Sequence, residues 1–449
     1  MRVLVVGSGF EGIYTAYLLA TERGADVELI DPGSSFGGIM AGVRHRGVAL
    51  DLGCQVFDNF DAGITQTLQA LCRGKWKGQT LAYGSRIHGS TSKVMSTPDL
   101  SFAPPEVVER MLEEVLTRAV PTPPGLDLRA HCEARWGPTA ARLLEPVCLK
   151  VFGMPATQLD ALSRIYVGLG RIRLADSERS SMLRSLNPEL DERLAIPRTD
   201  GPGFYPEAWA RLPAPNLLPV PESFVGFCDE ARIALEEVGV RVTMQTGLVG
   251  MEPGVPARVT MRTTGSGQVR KDTYDVVVWT LRFPSLEPLL LGDDTLSRHL
   301  APMGMHLFYH FTEENNLGDL EYFQNYDPDV SWFRWSAMGR YTGQRTTEGL
   351  SFCCTEIPDH GSGGSSEQAE AVWSEVRQLG LVRGRHDGRP HYVHAPRCLV
   401  RYLPGFSAAA DQVMRRLDVE FPALLYNEPH IFGRIAAARY IRQRALARL

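Results

Sequence analysis

Three glycines and one aspartate carry the first chemical signal in this 449-residue chain. Gly7, Gly9 and Gly12 form G-x-G-x-x-G directly after the apolar run Val3-Leu4-Val5-Val6, and Ile13 to Thr21 reads as a helix. In such a turn Gly7 permits the tight bend, Gly9 lets a pyrophosphate approach the backbone, and Gly12 lets helix and strand pack closely. The helix N-terminus adds free N–H groups and a positive dipole end for phosphate oxygens. Asp31 closes a second strand-like run, Asp26 to Ile30, about 20 residues past the turn, where a carboxylate accepts hydrogen bonds from ribose hydroxyls. By itself the glycine pattern also fits an ordinary flexible loop. The preceding strand, the following helix and the spaced carboxylate together make it a dinucleotide fingerprint.

The pair Gly37-Gly38 is the second feature. Glycines this soon after the ribose carboxylate would let another backbone stretch pass against a bound dinucleotide, where a Cβ would clash. A plain flexible loop is the competing reading. No metal-ligand spacing or Ser-His-Asp arrangement stands out, and none of the eight cysteines forms a C-x-x-C pair. Cys353-Cys354 lies in an apolar run that suits a buried strand. His306, His310, His391 and His394 read as strand or loop histidines rather than as catalytic bases.

These residues must be held by more than one unit, since the chain is too long for one typical core. Residues 65–194 read as mainly helical. Pro105 to Ala119 has apolar positions at helical spacing, and the run Pro121-Thr122-Pro123-Pro124-Gly125 ends it. Leu126 to Trp136 and Thr139 to Phe152 follow as helices, and Pro213, Pro215, Pro219 and Pro221 mark a linker. Phe224 to Val238 is again amphipathic, and Tyr274 to Thr280 is a buried strand that returns to the dinucleotide unit. Residues 283–360 alternate polar and apolar with many aromatics, the pattern of antiparallel strands over a ligand cavity. Beyond a loop at Gly361 to Ser366, Glu367 to Leu379 and Ala408 to Val419 read as helices, and Phe432-Gly433-Arg434-Ile435 opens the last one. The expected architecture is α/β: a discontinuous Rossmann-like domain (1–64, 221–282 and 395–449) with an inserted helical part (65–220) and an antiparallel-sheet substrate part (283–394).

Composition narrows the function classes. At 44% hydrophobic, 22% charged and a net charge of −5, nothing favours nucleic acid, and five arginines in residues 434–449 suit a helix C-terminus. A strand signal starting at residue 2 leaves no room for a signal peptide, and no apolar run is long enough to span a membrane. A cytoplasmic protein acting on a small molecule is expected, and a homodimer is compatible with this.

Taken together, G-x-G-x-x-G with Asp31, then Phe36-Gly37-Gly38, Asp51-Leu52-Gly53-Cys54-Gln55, the strand from Asp275 to Leu281 and the closing Gly433-Arg434 resemble the FAD-dependent amine-oxidase-like superfamily. The branch they resemble most holds the UDP-galactopyranose mutases and protoporphyrinogen-oxidase-like flavoproteins. The resemblance implies FAD as cofactor. It implies that Gly7, Gly9 and Gly12, with the amides of Phe10 and Glu11, hold the pyrophosphate. Asp31 would take the adenosine ribose, and Gly37 and Gly38 would pass under the diphosphate and ribityl chain. The backbone of Val249 would meet the adenine, and Gly433 and Arg434 would close on the flavin. Gln55 stands where the mutases carry a histidine, and Arg401-Tyr402 falls where a segment lies against ring and substrate. Arg334, between two aromatic residues, is a candidate for pairing a substrate diphosphate. The implied function is an FAD-dependent oxidoreductase on a small or sugar-derived substrate. A redox-neutral nucleotide-sugar isomerase is the alternative, and a non-catalytic flavin-binding protein is the alternative of another class. A nicotinamide-dependent dehydrogenase would lack the Gly37-Gly38 and Gly433-Arg434 stretches.

Overall fold

A computed structural model of the chain describes residues 1–59, 61–118, 122, 124–197, 216–361, 363–431 and 433–448. The N-terminal apolar run forms β1 (Arg2–Val6), which turns at Gly7 into α1 (Phe10–Arg23) and returns as β2 (Asp26–Ile30). Much further along come α2 (Ser223–Glu237), β3 (Arg241–Thr243) and β4 (Val276–Trp279), and then α3 (Phe406–Glu420), β5 (Leu424–Tyr426) and α4 (Arg434–Arg448). The five strands pair in parallel in the order β3-β2-β1-β4-β5. This is the doubly wound order, in which ligands lie beyond the C-terminal strand ends where the order reverses, here between β1 and β4.

β1 shows why the sequence takes this form. Successive side chains of a strand point to opposite faces, and Val3, Leu4, Val5 and Val6 are all fully buried. Val3 and Val5 join Ile13 of α1, Phe227 of α2 and Ala438 of α4 in one core. Leu4 and Val6 join Phe406 and Val413 of α3 in another. A continuous apolar run is what a strand covered on both faces needs. The connection from β3 to β4 is a three-stranded antiparallel sheet (Thr246–Met251, Ala257–Thr263, Val269–Tyr274).

Two further layers cover the C-terminal edge of the sheet. Helices Pro105–Thr117, Leu128–Phe152 and Ser177–Leu186 pack around a core that includes Trp136, Leu144 and Val151. The two helices expected around residue 137 run as one element, Leu128–Phe152, broken by non-helical Gly137 at φ 89°. Beside them lies a seven-stranded sheet, in the order 387–402, 300–312, 351–358, 334–336, 322–325, 83–87, 90–92. Part of the segment read as helical thus contributes strands to this sheet. The strand Asp387–Tyr402 runs unbroken past residue 395 and pairs with Leu300–Thr312 to its end, so this stretch belongs to the sheet up to Tyr402. The expected linker prolines Pro213 and Pro215, the turn residues Pro121 and Pro123, Ser362 and Phe432 lie outside the described residues.

Candidate functional site

The glycine turn is built as its spacing requires, and each glycine is needed for a different reason. Gly7 adopts φ 113°, and its N–H donates to the Ile30 carbonyl at 2.8 Å. A Cβ on Gly12 would overlap the Gly7 carbonyl oxygen and come within 2.9 Å of Thr280 Oγ1, so only glycine lets α1 start this close to β1 and β4. Gly9 is different. It is the residue before the first turn of α1, its backbone is extended (φ −70°), and a Cβ there would meet nothing within 4 Å. A side chain there would enter open space rather than protein. The amides of Phe10 and Glu11 begin α1 beside that space.

The second glycine pair sits against this turn. The Gly37 N–H donates to the Ser8 carbonyl at 3.0 Å, and a Cβ on Gly38 would stand 3.5 Å from Gly9 Cα. A Cβ on Gly37 would strike Cys228 on α2. Residues 37–38 therefore run past Gly9 as a second backbone wall. Asp31 is 8% exposed and braces the turn from within. Its Oδ2 accepts from the Ser8 N–H at 2.6 Å and the Ser8 hydroxyl at 2.8 Å, and its Oδ1 accepts from the Gly33 N–H at 2.7 Å. Val249 is on strand Thr246–Met251 at a register shift, and the start of that strand bonds the Asp31 carbonyl through the Thr246 N–H at 2.8 Å. The structure thus puts Val249 on the strand that docks on the residue closing β2.

A buried polar chain connects the third motif to the last helix. Asp51 is fully buried and accepts from the Phe224 N–H at 3.1 Å and from the Ser223 hydroxyl, at the start of α2. Burial pushes its carboxyl up to about 7 against these bonds. Two residues on, Gly53 turns the chain at φ 78°, and Gln55, 4% exposed, donates from Nε2 to the Ile39 carbonyl at 3.2 Å. Gln55 Oε1 accepts from Arg434 at the first turn of α4, and the Arg434 guanidinium lies 5.1 Å over the Phe224 ring. Among the described residues Arg434 makes no ion pair, and that bond to Gln55 is the one hydrogen bond of its guanidinium. Desolvation lowers its pKa, against the raising effect of the Asp51 and Asp58 charges.

A cavity of about 530 Å³ opens where the sheet order reverses. Glu11 from α1, Thr280 and Leu281 after β4, Phe406 opening α3, and Asn427 and Glu428 after β5 form its floor, while Tyr166 and Tyr402 reach it from the covering layers. The Tyr166 and Tyr402 rings stack with centroids 6.1 Å apart. Desolvation raises the Glu11 carboxyl to about 7, against an opposing hydrogen bond from Asn427 and the charge of Arg434. The sequence points to Glu11 for its amide only, whereas its side chain also enters the cavity. Tyr166, Arg282, Asn427 and Glu428 carry no sequence signal of their own, because three distant segments bring them together.

The remaining candidates separate. Tyr402 lines the cavity, but its strand neighbour Arg401 points elsewhere, toward His360 Nδ1 and Met303 Sδ, both 3.3 Å from its Nη2. Adjacent residues on a strand face opposite ways. Arg334 makes a bidentate ion pair with Glu356, whose side chain is 2% exposed, with Nε 2.7 Å from Oε1. The same carboxylate accepts from the Cys54 N–H at 3.3 Å, and a Cβ on Gly53 would stand 2.7 Å from it. Arg334 therefore braces the loop that carries Gln55.

With this geometry in hand, known proteins offer points of comparison. Residues 5–73 match the NAD(P)-binding Rossmann-like domain. Hydroxyneurosporene desaturase of Rubrivivax gelatinosus is 40% identical over 92 residues, a match spanning 17% of this chain and 17% of that protein. The crystal structure of a reduced UDP-galactopyranose mutase superposes with a TM-score of 0.72, covering 99% of this chain and 94% of that one at 11% identity. A protein from Exiguobacterium sp. 255-15, assigned as a protoporphyrinogen oxidase, superposes with a TM-score of 0.65, covering 99% of both chains at 15% identity. At these identities the likeness is one of fold. The chain has the fold of the mutase and protoporphyrinogen-oxidase branch, as its motifs imply.

Proposed function

We propose that this protein is an FAD-dependent oxidoreductase that exchanges hydride or electrons with a small-molecule substrate. The observation that carries the reading is the cavity itself: Glu11 in the first turn of α1, the chain just past the ends of β4 and β5, and two stacked tyrosines converge on one space. Pockets of this size, apolar with a few polar groups, are those that take cofactors and small substrates. Two features fit FAD in particular. Gly9 leaves open the position a pyrophosphate needs, and Arg434, bonded to Gln55, holds guanidinium N–H groups that no carboxylate takes up among the described residues.

The residues divide the work as follows. Gly7, Gly9, Gly12, Gly37 and Gly38, with the Phe10 and Glu11 amides, would hold the diphosphate, and remaining lone pairs of Asp31 would accept from the ribose. The Val249 backbone would face the adenine. Gly433 lets α4 begin at Arg434, which would offset negative charge on the ring or diphosphate. Bound there, FAD would supply the hydride or electron chemistry, and the chain supplies position and electrostatics. Gln55 orients Arg434, Tyr402 and Tyr166 form an aromatic wall for substrate, and Glu11, raised to about 7, can release a proton as the acid or take one as the carboxylate near neutral pH. Arg334 acts through the loop at Gly53-Cys54 rather than on substrate.

The likeness to the mutase favours a second reading, a redox-neutral isomerase of a sugar derivative, and Gln55 in place of a histidine weighs against it. One experiment addresses both. The visible spectrum of the purified protein is recorded, then repeated after dithionite reduction and readmission of air. Flavin bands that return quickly in air support an oxidase, and a long-lived reduced form supports the isomerase or a dehydrogenase with another acceptor. A colourless protein that cannot be reconstituted with FAD overturns the proposal.

A further inference from the structure

A second cluster of chemically capable side chains lies on the seven-stranded sheet, and none of its members lines the cavity. Three adjacent strands supply it. His394 on Asp387–Tyr402 is the direct cross-strand partner of His306 on Leu300–Thr312. Asp359 immediately follows Ser351–Pro358, the strand on the other side of His306. The ligating atoms of the three all lie within 4.8 Å of one another. His394 Nε2 is 2.9 Å from Asp359 Oδ2, and His306 Nε2 is 3.5 Å from Asp359 Oδ1.

His306 is the informative member. Its side chain is 7% exposed, and its Nε2 is buried with no hydrogen-bond partner, yet it points at a carboxylate. Its other nitrogen, Nδ1, is 2.8 Å from the Tyr392 hydroxyl. When Nδ1–H donates to Tyr392, Nε2 keeps a lone pair aimed at Asp359 Oδ1, 3.5 Å away. In that tautomer a cation held by both atoms satisfies the facing lone pairs. Ligand atoms about 2.0–2.1 Å from a tetrahedral zinc ion stand roughly 3.3 Å apart, close to the 2.9 and 3.5 Å between Asp359 and the two imidazoles. Glycines keep the flanks clear: a Cβ on Gly363 would stand 2.7 Å from His306 Nε2, and one on Gly304 would stand 2.7 Å from His394 Nε2.

We propose that His306, His394 and Asp359 bind one divalent cation of the zinc class. Two imidazoles and one carboxylate select a borderline ion over magnesium or calcium, which prefer all-oxygen sets. His394 and Asp359 are 39% and 24% exposed, so solvent can supply the fourth ligand. The ion would clip together three strands, one of which carries Tyr402 to the cavity. Tyr392 holds the outer nitrogen of His306, as outer hydrogen bonds do for metal-bound imidazoles.

The test uses the full-length protein stripped with chelator, titrated with Zn²⁺ against a chromophoric competitor and with Co²⁺ for visible absorption. The expected result is one equivalent bound, with the intense bands of tetrahedral cobalt. His394→Gln and Asp359→Asn should each abolish it, and Tyr392→Phe should weaken it by about 10-fold. His88→Gln, whose ring bonds the Leu143 carbonyl at 2.8 Å outside the cluster, should leave it unchanged. Circular dichroism confirms that His394→Gln and Asp359→Asn, both at partly exposed positions, are folded. No stoichiometric binding, or binding equally tight in His394→Gln and Asp359→Asn, overturns the site.

Discussion

Gly9 and Gly12, the second and third glycines of the turn, should respond in opposite ways to substitution, and this contrast is the sharpest test of how the site is built. In Gly9→Asp the new side chain enters a space with no protein atom within 4 Å, on a backbone already extended as helix N-caps are. Aspartate is a better N-cap than glycine by a few tenths of a kcal/mol, and its charge at the dipole adds about 0.3–1 kcal/mol. The cofactor-free protein should thus be as stable as wild type or more so, by up to about 1 kcal/mol. The same carboxylate would stand about 4 Å from a phosphate charge, a repulsion of about 4 kcal/mol at an effective dielectric constant near 20. FAD affinity should then fall by about 10³-fold. Gly12→Val reverses the pattern. Its Cβ overlaps the Gly7 carbonyl and presses on Thr280, so the chain must shift, at about 1–3 kcal/mol or more, before any ligand is considered. The assay pairs flavin-to-protein absorbance ratios with thermal unfolding of the stripped proteins. A Gly9→Asp protein that retains full flavin refutes the placement of the diphosphate, and a Gly12→Val protein with wild-type stability refutes the packing argument.

Three further outcomes are expected. Glu11 is held protonated to about pH 7 in the fold against 4.5 in the open chain, so the folded state binds the extra proton and this group's contribution to stability falls as pH rises from about 4.5 to 7. Glu11→Gln should remove that slope, worth at most about 3 kcal/mol, in urea unfolding compared at pH 5 and pH 7.5; identical slopes would contradict the burial of its carboxyl. Arg334→Met should cost about 3–5 kcal/mol by leaving Glu356 buried and unpaired, and Arg334→Met/Glu356→Gln should recover most of it in chemical denaturation. Recovery absent from the double variant would place Arg334 in another role. Gln55→Ala should keep its flavin while slowing flavin reduction by about 10²-fold in stopped-flow measurements, the effect of losing one oriented polar group at a reacting centre. Loss of flavin instead would make Gln55 part of the cofactor's scaffold.

How much of this was legible in the sequence follows from the range of the interactions involved. β1, its turn and α1 are local: strand burial, glycine φ and helix start are settled within a dozen residues, so type and spacing alone indicate them. Gly12 is glycine because of Gly7, five positions away, and the fingerprint records that contact directly. The Gly37-Gly38 and Gly433-Arg434 stretches were recognisable as patterns, although the sequence does not show that Arg434 meets Gln55 across 379 positions. Tertiary structure decided the rest. It turned Arg334 toward Glu356, because the facing strand Ser351–Pro358 places that carboxylate opposite it in register. It sent Arg401 and Tyr402 to opposite sides of one strand, and it put the Glu11 side chain into the cavity beside Asn427, contributed by a segment more than 400 residues later. It also lined up His394, His306 and Asp359 across three strands whose order the sequence does not encode locally. Backbone conformation is written in neighbouring residues, whereas side-chain chemistry depends on which distant segments share a sheet, and that is settled only when the whole chain has packed.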